Sequence, residues 1–219
     1  MERRGPLVHR AVRFGSLALL VAGILLLLAN ILPALSYSGF SPTRTLLQSF
    51  GDPSQSPLAI VFDLVIVAFG IFLILGAWLI WSGLPVRGSR TVGLLLLMIG
   101  GLSAVLLGAF PSGSPQNVAN INGAVTTALF VGSGLALLVL TLAMLRDRRW
   151  DGLRLYTLLS GIVVLVSFFL YHQGYVGALG PGGAERVALA ALTLWLFAIG
   201  TRLVRIPVYS GRFPTSTAF

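Results

Sequence analysis

Residues 57–81 read PLAIVFDLVIVAFGIFLILGAWLIW, an apolar run that contains a single charged residue, Asp63. A helix rises about 1.5 Å per residue, so a run of this length crosses the roughly 30 Å hydrocarbon core of a bilayer. With this one, the chain has six such runs, at 16–35, 57–81, 91–110, 123–145, 153–171 and 187–204. The sequence therefore predicts an all-α, polytopic membrane protein, a single domain folded as a six-transmembrane-helix bundle.

The overall composition also indicates a membrane location. Of the 219 residues, 56% are hydrophobic and only 10% are charged, whereas soluble domains carry about 25% charged residues. The mean hydropathy is +0.93. A soluble protein of this composition would expose large apolar patches and aggregate, but lipid solvates such side chains. The chain has no Cys, which excludes disulfides, thiolate metal ligands and Cys nucleophiles.

The basic residues are distributed unevenly along the chain. All fifteen are Arg, and all except Arg44 and Arg186 lie at the termini or in alternate connections between the apolar runs. The positive-inside rule then predicts that both termini are cytosolic, including a short flexible tail at 206–219. A nucleic-acid-binding protein would gather Arg on one soluble face, so we expect no nucleic-acid partner. The expected partners are membrane lipids, and a small molecule or a membrane protein is a further candidate.

Small residues spaced by four mark a predicted contact between the third and fourth helices. A spacing of four places residues on one helix face, and small residues let helix backbones approach closely in lipid. We expect the two faces to meet, although membrane helices also use small residues generously without such a contact. The residues are Gly100, Ala104 and Gly108 in the third run and Ala124, Ala128, Gly132 and Ala136 in the fourth.

Asp63 is the clearest candidate for a functional residue inside the membrane. An unpaired Asp at the centre of a membrane helix costs on the order of 3 kcal/mol to insert, so a partner or water is expected. Arg186, Arg44 and His172 lie on the same predicted side of the membrane. The alternative is that Asp63 is a structural hydrogen-bonding residue that ties helices together.

Other polar residues fall in or near the predicted outer loops. Glu185 and Arg186 open the sixth helix, where Glu185 can complement the helix dipole and Arg186 can hold Asp63 or an anionic group such as a lipid phosphate. Asn122 is predicted to be the N-cap of the fourth helix. Together with Asn30, such residues could line a shallow outward-facing cavity. The candidate ligand-binding residues are Asp63, His172, Glu185, Arg186, Asn122 and Arg44.

The sequence carries no complete catalytic or metal-binding motif. It has two His residues, and His9 lies in the amino-terminal tail, so a zinc site built on several His ligands is not expected. There is no G-x-S-x-G elbow and no Walker loop. We therefore predict no catalytic residue, no metal and no cofactor.

Several short segments together resemble one known family. They are Gly39-Phe40-Ser41-Pro42 ahead of Asp63, Gly108-Ala109-Phe110-Pro111, and Glu185-Arg186 ahead of Trp195. Their order and positions resemble the family of domain of unknown function 998, six-helix proteins of bacteria and archaea, which is similar to the wider group of Frag1, DRAM and Sfk1-like membrane proteins. The family pattern often has a His where this chain has Asn122. The resemblance implies a prokaryotic cell membrane and no particular activity.

Three classes of function remain open from the sequence. The first, which we favour, is a non-enzymatic protein that binds a lipid, a small molecule or a partner protein through its outer face. The second is a small transporter or channel, although the middle of each predicted helix is almost entirely apolar. The third is a membrane enzyme acting on a lipid headgroup, with Asp63, His172 and Glu185 as acid–base groups.

Overall fold

The computed structural model describes residues 5–83, 88–115, 117, 120–145, 150–174 and 177–205, with side chains from Arg10 onward. In this part of the chain six helices are long and apolar enough to cross a membrane, and no strand occurs. They are α1 (Gly5–Ala34), α2 (Ala59–Gly83), α3 (Gly88–Ala109), α4 (Ile121–Met144), α5 (Asp151–His172) and α6 (Gly180–Arg205). The predicted all-α membrane fold is confirmed. The predicted tail at 206–219 lies outside the described residues.

Two helices extend beyond the apolar runs that predicted them. α1 begins at Gly5 and α6 begins at Gly180, well ahead of the runs that start at residues 16 and 187. Hydropathy locates the part of a helix that lies in lipid, and a helix can continue into the interface where its side chains are solvated. The first connection also contains a short 3₁₀ helix, η1 (Leu47–Gly51), which the hydropathy pattern did not indicate.

The six helices form a closed ring around an apolar core. Each helix packs against the next one along the chain, and α6 packs against α1 to close the ring. Inside the ring, Trp195 of α6 is 1% exposed and donates a hydrogen bond from Nε1 to Oγ1 of Thr157 in α5, at 3.1 Å. The outward faces are also apolar, as expected for helices that face lipid. The largest fully buried side chains include Phe50, Phe62, Phe69 and Phe130.

The two ends of the ring differ in the residues they carry. We call one the loop end, which is formed by residues 35–58, 110–115 and 177–183. We call the other the arginine end, where Arg10, Arg13, Arg154 and Arg202 are exposed. η1 lies at the loop end and contacts α1, α2, α4 and α6, so it covers the interior of the ring there.

The predicted seam between α3 and α4 forms around Gly100 and Gly132 but not at its loop end. A Cβ added to Gly132 would lie 3.7 Å from the backbone nitrogen of Gly100, so these two glycines face each other. Gly108, however, faces α2, because an added Cβ would lie 2.5 Å from the backbone oxygen of Asp63. Ala124 is exposed. The expectation is therefore wrong for Gly108 and Ala124, because α3 packs against two neighbours and its small residues serve both. Ala104 and Ala136 are fully buried and Ala128 is partly buried.

Candidate functional site

The first connection lies directly against the start of α6. The backbone N–H of Gly182 donates to the carbonyl oxygen of Thr43 at 2.9 Å. A Cβ added to Gly182 would lie 2.5 Å from the carbonyl oxygen of Thr45, and Gly180, which has φ +65°, approaches Thr43 even more closely. Because only glycine leaves room for this approach, the Gly-rich start of α6 is a docking surface for residues 43–45.

Glu185 joins α6 to η1. Its carboxylate oxygen Oε2 accepts a hydrogen bond from the backbone N–H of Leu47 at 2.7 Å, and the side chain is 1% exposed. Leu46, at the N-cap of η1, has no side chain that can accept this bond, so Glu185 supplies the missing cap from another helix. We expected Glu185 to complement the start of its own helix. That expectation is wrong, because α6 begins at Gly180 and places Glu185 in the second turn.

Arg186 holds the same connection through two of its backbone carbonyls, and a third acceptor lies in α6 itself. Its Nη1 donates to the oxygens of Pro42 at 3.0 Å, Thr45 at 2.7 Å and Gly182 at 2.9 Å. The guanidinium carbon lies 5.1 Å from the ring centre of Phe40 and 5.7 Å from that of Phe50, within cation–π range. The guanidinium is thus fixed in position by both rings and carbonyls.

Asp63 is separate from this arrangement. No hydrogen bond or ion pair joins it to Arg186, and its buried Oδ1 has no hydrogen-bond partner in the described part of the chain. A Cβ added to Gly51 would lie 2.6 Å from that oxygen, so the carboxylate lies against the end of η1. Of the two partners that the sequence suggested for Arg186, Asp63 or an anionic group, Asp63 is therefore not hydrogen-bonded to it, because the Nη1 donors of Arg186 are directed at the carbonyls of Pro42, Thr45 and Gly182.

Asn122 has a structural place next to the end of α3. Its Nδ2 donates to the carbonyl oxygen of Phe110 at 2.9 Å, and its backbone N–H donates to Oδ1 of Asn117 at 3.0 Å. The N-cap of α4 is Asn120, whose side chain accepts from Gly123 N at 3.3 Å. The predicted capping role of Asn122 is therefore wrong by two residues, since the helix begins at Ile121 and Asn120 is its N-cap.

The remaining candidates do not complete a common site. His172 is exposed and stacks on Phe168, with ring centres 6.2 Å apart. The side chain of Arg44 is exposed at the loop end. No hydrogen bond or ion pair joins any two of Asp63, His172 and Glu185 within the described residues. These three candidate acid–base groups are therefore not linked directly to one another in the described part of the chain.

A groove of about 670 Å³ lies between α1 and α6 at the loop end. Arg186 lines it near the first connection, and among the described residues of its lining the only other polar side chains are Asn30 and Thr193. Its walls are otherwise apolar, and several of them are exposed on the outside of the ring, including Leu27, Ile31 and Leu194. The groove therefore opens sideways, toward the surface that lipid covers in a membrane.

Sequence reasoning named Arg186 and Asn30 but not the groove that they share. The first and last helices of the chain form it, and no local pattern shows that they are neighbours. The Phe40 and Phe50 rings beside Arg186 were also missed as contacts of that side chain. Phe40 belongs to the segment Gly39-Phe40-Ser41-Pro42, which drew attention only through the family resemblance.

The fold and this groove define a six-helix, multi-pass membrane protein with a lateral apolar groove. The family model described as "Protein of unknown function (DUF998)" matches residues 9–202, nearly the whole chain, and the protein belongs to this family. No curated protein and no solved structure matches the chain.

Proposed function

We propose that the protein is a non-enzymatic lipid-binding protein of the cell membrane, with the α1–α6 groove as its binding site and the loop end facing outward. The observation that carries the proposal is the groove itself. Its volume of about 670 Å³ lies within the roughly 300–1,000 Å³ of ordinary ligand pockets. Apolar walls that open sideways suit an acyl chain entering from the bilayer.

The polar groups of the groove suit the rest of a lipid molecule. Arg186 lies at the loop end of α6, at the level where a helix leaves the membrane, so a headgroup can reach it. Thr193 lies seven residues further along α6, which is about 10 Å at 1.5 Å per residue. Asn30, opposite on α1, uses Nδ2 in a long hydrogen bond to Leu26 O at 3.4 Å, which leaves its carbonyl oxygen available. These groups support one lipid orientation, headgroup at Arg186 and chain between Leu27 and Phe197.

Filling the groove tests this proposal. Ala190 is exposed and lines the groove, so Ala190→Trp should occupy the space of the chain and lower the amount of lipid retained. Ala124→Trp, at an exposed position on α4, is the matched control and should retain as much lipid as the unmodified protein. Native mass spectrometry of the detergent-purified proteins measures the bound lipid. Equal lipid retention by both variants would refute the groove as the binding site.

The outward orientation of the loop end has its own test. Because the chain has no Cys, a single introduced thiol is the only one that a maleimide can label. Ser54 is exposed at the loop end and Gly152 is exposed at the arginine end. A membrane-impermeant maleimide should label Ser54→Cys in intact cells and Gly152→Cys only after permeabilisation. The opposite pattern would reverse the proposed topology and leave the groove in the inner leaflet.

A further inference from the structure

The groove has one charged side chain, Arg186, among the described residues of its lining, and this residue indicates which lipids the groove would bind. We infer that the site selects a phospholipid with an anionic headgroup, whose phosphate is bound by Arg186 while one acyl chain occupies the groove. This inference rests on the proposed function, because it names the class of ligand for the same site.

The first argument is that Arg186 has no anion among its hydrogen-bond partners in the described part of the chain. Its hydrogen-bond acceptors are the carbonyls of Pro42, Thr45 and Gly182, which are neutral. The neighbouring carboxylate of Glu185 is directed instead at the backbone N–H of Leu47. In a poorly solvated setting such as a groove edge, a guanidinium without a hydrogen-bonded anion attracts one strongly.

The second argument is the number of donors that Arg186 has left. A guanidinium has five N–H groups, and every hydrogen bond recorded for this side chain in the described part of the chain uses Nη1. Nη2 is buried there without an acceptor. An unused donor on a buried charged group is costly, and a phosphate oxygen is the acceptor whose geometry matches the guanidinium edge. Because Nη2 is buried, the side chains that cover it must move aside when the phosphate binds.

The third argument is that the guanidinium is held in place before any ligand arrives. Phe40 and Phe50 lie within cation–π range of the guanidinium and three carbonyls hold Nη1, so the side chain loses little further freedom on binding. Pre-organisation of this kind lowers the entropic cost of binding. The fixed position of the guanidinium also sets its distance from the apolar groove. A phospholipid needs such a fixed distance, because its phosphate is joined to its acyl chains through one short linkage.

Headgroup competition tests the inference on the unmodified protein. The protein would be reconstituted with equimolar phosphatidylglycerol and phosphatidylcholine, and the retained lipids would be measured by native mass spectrometry. Both lipids carry a phosphate, but the choline cation of phosphatidylcholine offsets the charge of its phosphate, so the contact with Arg186 is stronger for phosphatidylglycerol. A difference equal to one charge-assisted contact corresponds to about a tenfold preference. We expect phosphatidylglycerol to be enriched by about that factor. Equal retention of both lipids overturns the inference and leaves the groove as a lipid site, whereas no retained lipid refutes the proposed function as well.

Two variants assign the preference to Arg186. Arg186→Gln should reduce the enrichment to near one, whereas Arg44→Gln, which removes an exposed charge at the same end, should leave it unchanged. Because Arg186 also holds the first connection, Arg186→Gln could unfold, so Ala190→Trp provides a second measurement. It leaves the contacts of Arg186 in place and should abolish the enrichment by blocking the groove. Enrichment that persists in Ala190→Trp, or is lost in Arg44→Gln, would overturn the assignment.

Discussion

Replacing Gly182 with Ala tests how closely the first connection must approach α6. The new Cβ would lie 2.5 Å from the carbonyl oxygen of Thr45 and 2.9 Å from Nη1 of Arg186. Real Cβ atoms essentially never lie within 3.0 Å of such an atom, and the first of these neighbours is backbone. The connection must therefore move away from the helix to make room.

The cost of this movement can be worked out from the contacts that it breaks. Bringing the Thr45 oxygen from 2.5 Å to an ordinary 3.4 Å would stretch the Gly182–Thr43 hydrogen bond, now 2.9 Å, beyond bonding range. Overpacking of this kind costs about 1–3 kcal/mol and the lost hydrogen bond costs about 1 kcal/mol. The higher helix propensity of Ala offsets about 1 kcal/mol of this loss of stability. The expected loss of stability is therefore about 1–3 kcal/mol.

Gly183→Ala is a matched control for this change. It is the same substitution one residue along the same turn, but its new Cβ would meet atoms only at 3.5, 3.9 and 4.0 Å. For a chain of this size 1 kcal/mol shifts Tm by about 2–4 °C, so Gly182→Ala should melt roughly 2–12 °C lower than the unmodified protein. Gly183→Ala should melt at or slightly above it. Thermal unfolding in one detergent measures both, and a Gly182→Ala protein as stable as the control would refute the docking argument.

Three further changes test other contacts in the ring. Gly108→Ala should lower stability by about 1–3 kcal/mol, because the new Cβ would meet a backbone oxygen of α2. Gly132→Ala, whose new Cβ would have no contact closer than 3.6 Å, should melt at the temperature of the unmodified protein. Equal melting temperatures of the two variants would contradict this packing. Trp195→Phe leaves the hydroxyl of Thr157 without its partner and should cost about 1 kcal/mol in thermal unfolding, a loss that should be absent when Thr157 is already Val. Glu185→Ala removes the cap of η1 and should lower stability by about 1–3 kcal/mol and speed amide hydrogen exchange in η1. Unchanged exchange in η1 would contradict this capping role.

The number and type of the helices could be predicted because the bilayer imposes a length and a composition on each of them. The ends could not, and α6 shows why. Gly180-Pro181-Gly182-Gly183 has the composition of a connection, yet it forms the first turn of the helix. The first turn needs no N–H donor from Pro181, and its glycines are required by the loop that packs on them. The signal for a longer helix is therefore tertiary, and hydropathy does not contain it.

The candidate site was only partly predictable for a similar reason. Arg186 could be named because a cation inside an apolar protein is rare, and the rarity is visible in the sequence. Its partners could not, because backbone carbonyls of residues 42–45 have no sequence signature. Charge alone favoured Asp63 as the partner, but Asp63 lies against Gly51 and Arg186 bonds to carbonyls. The groove depends on the contact between α1 and α6, the pair of helices most distant along the chain.

A structural role and a binding role for Arg186 are compatible because they use different parts of the side chain. Nη1 donates to two carbonyls of the first connection and to Gly182 of its own helix, while in the described part of the chain Nη2 has no acceptor. A residue needed only to hold a loop could do so with a neutral donor, and it would avoid the cost of keeping a charge at the edge of a membrane. The proposed anionic ligand would therefore explain a full positive charge beside a groove that opens to lipid, a charge that loop docking alone does not require.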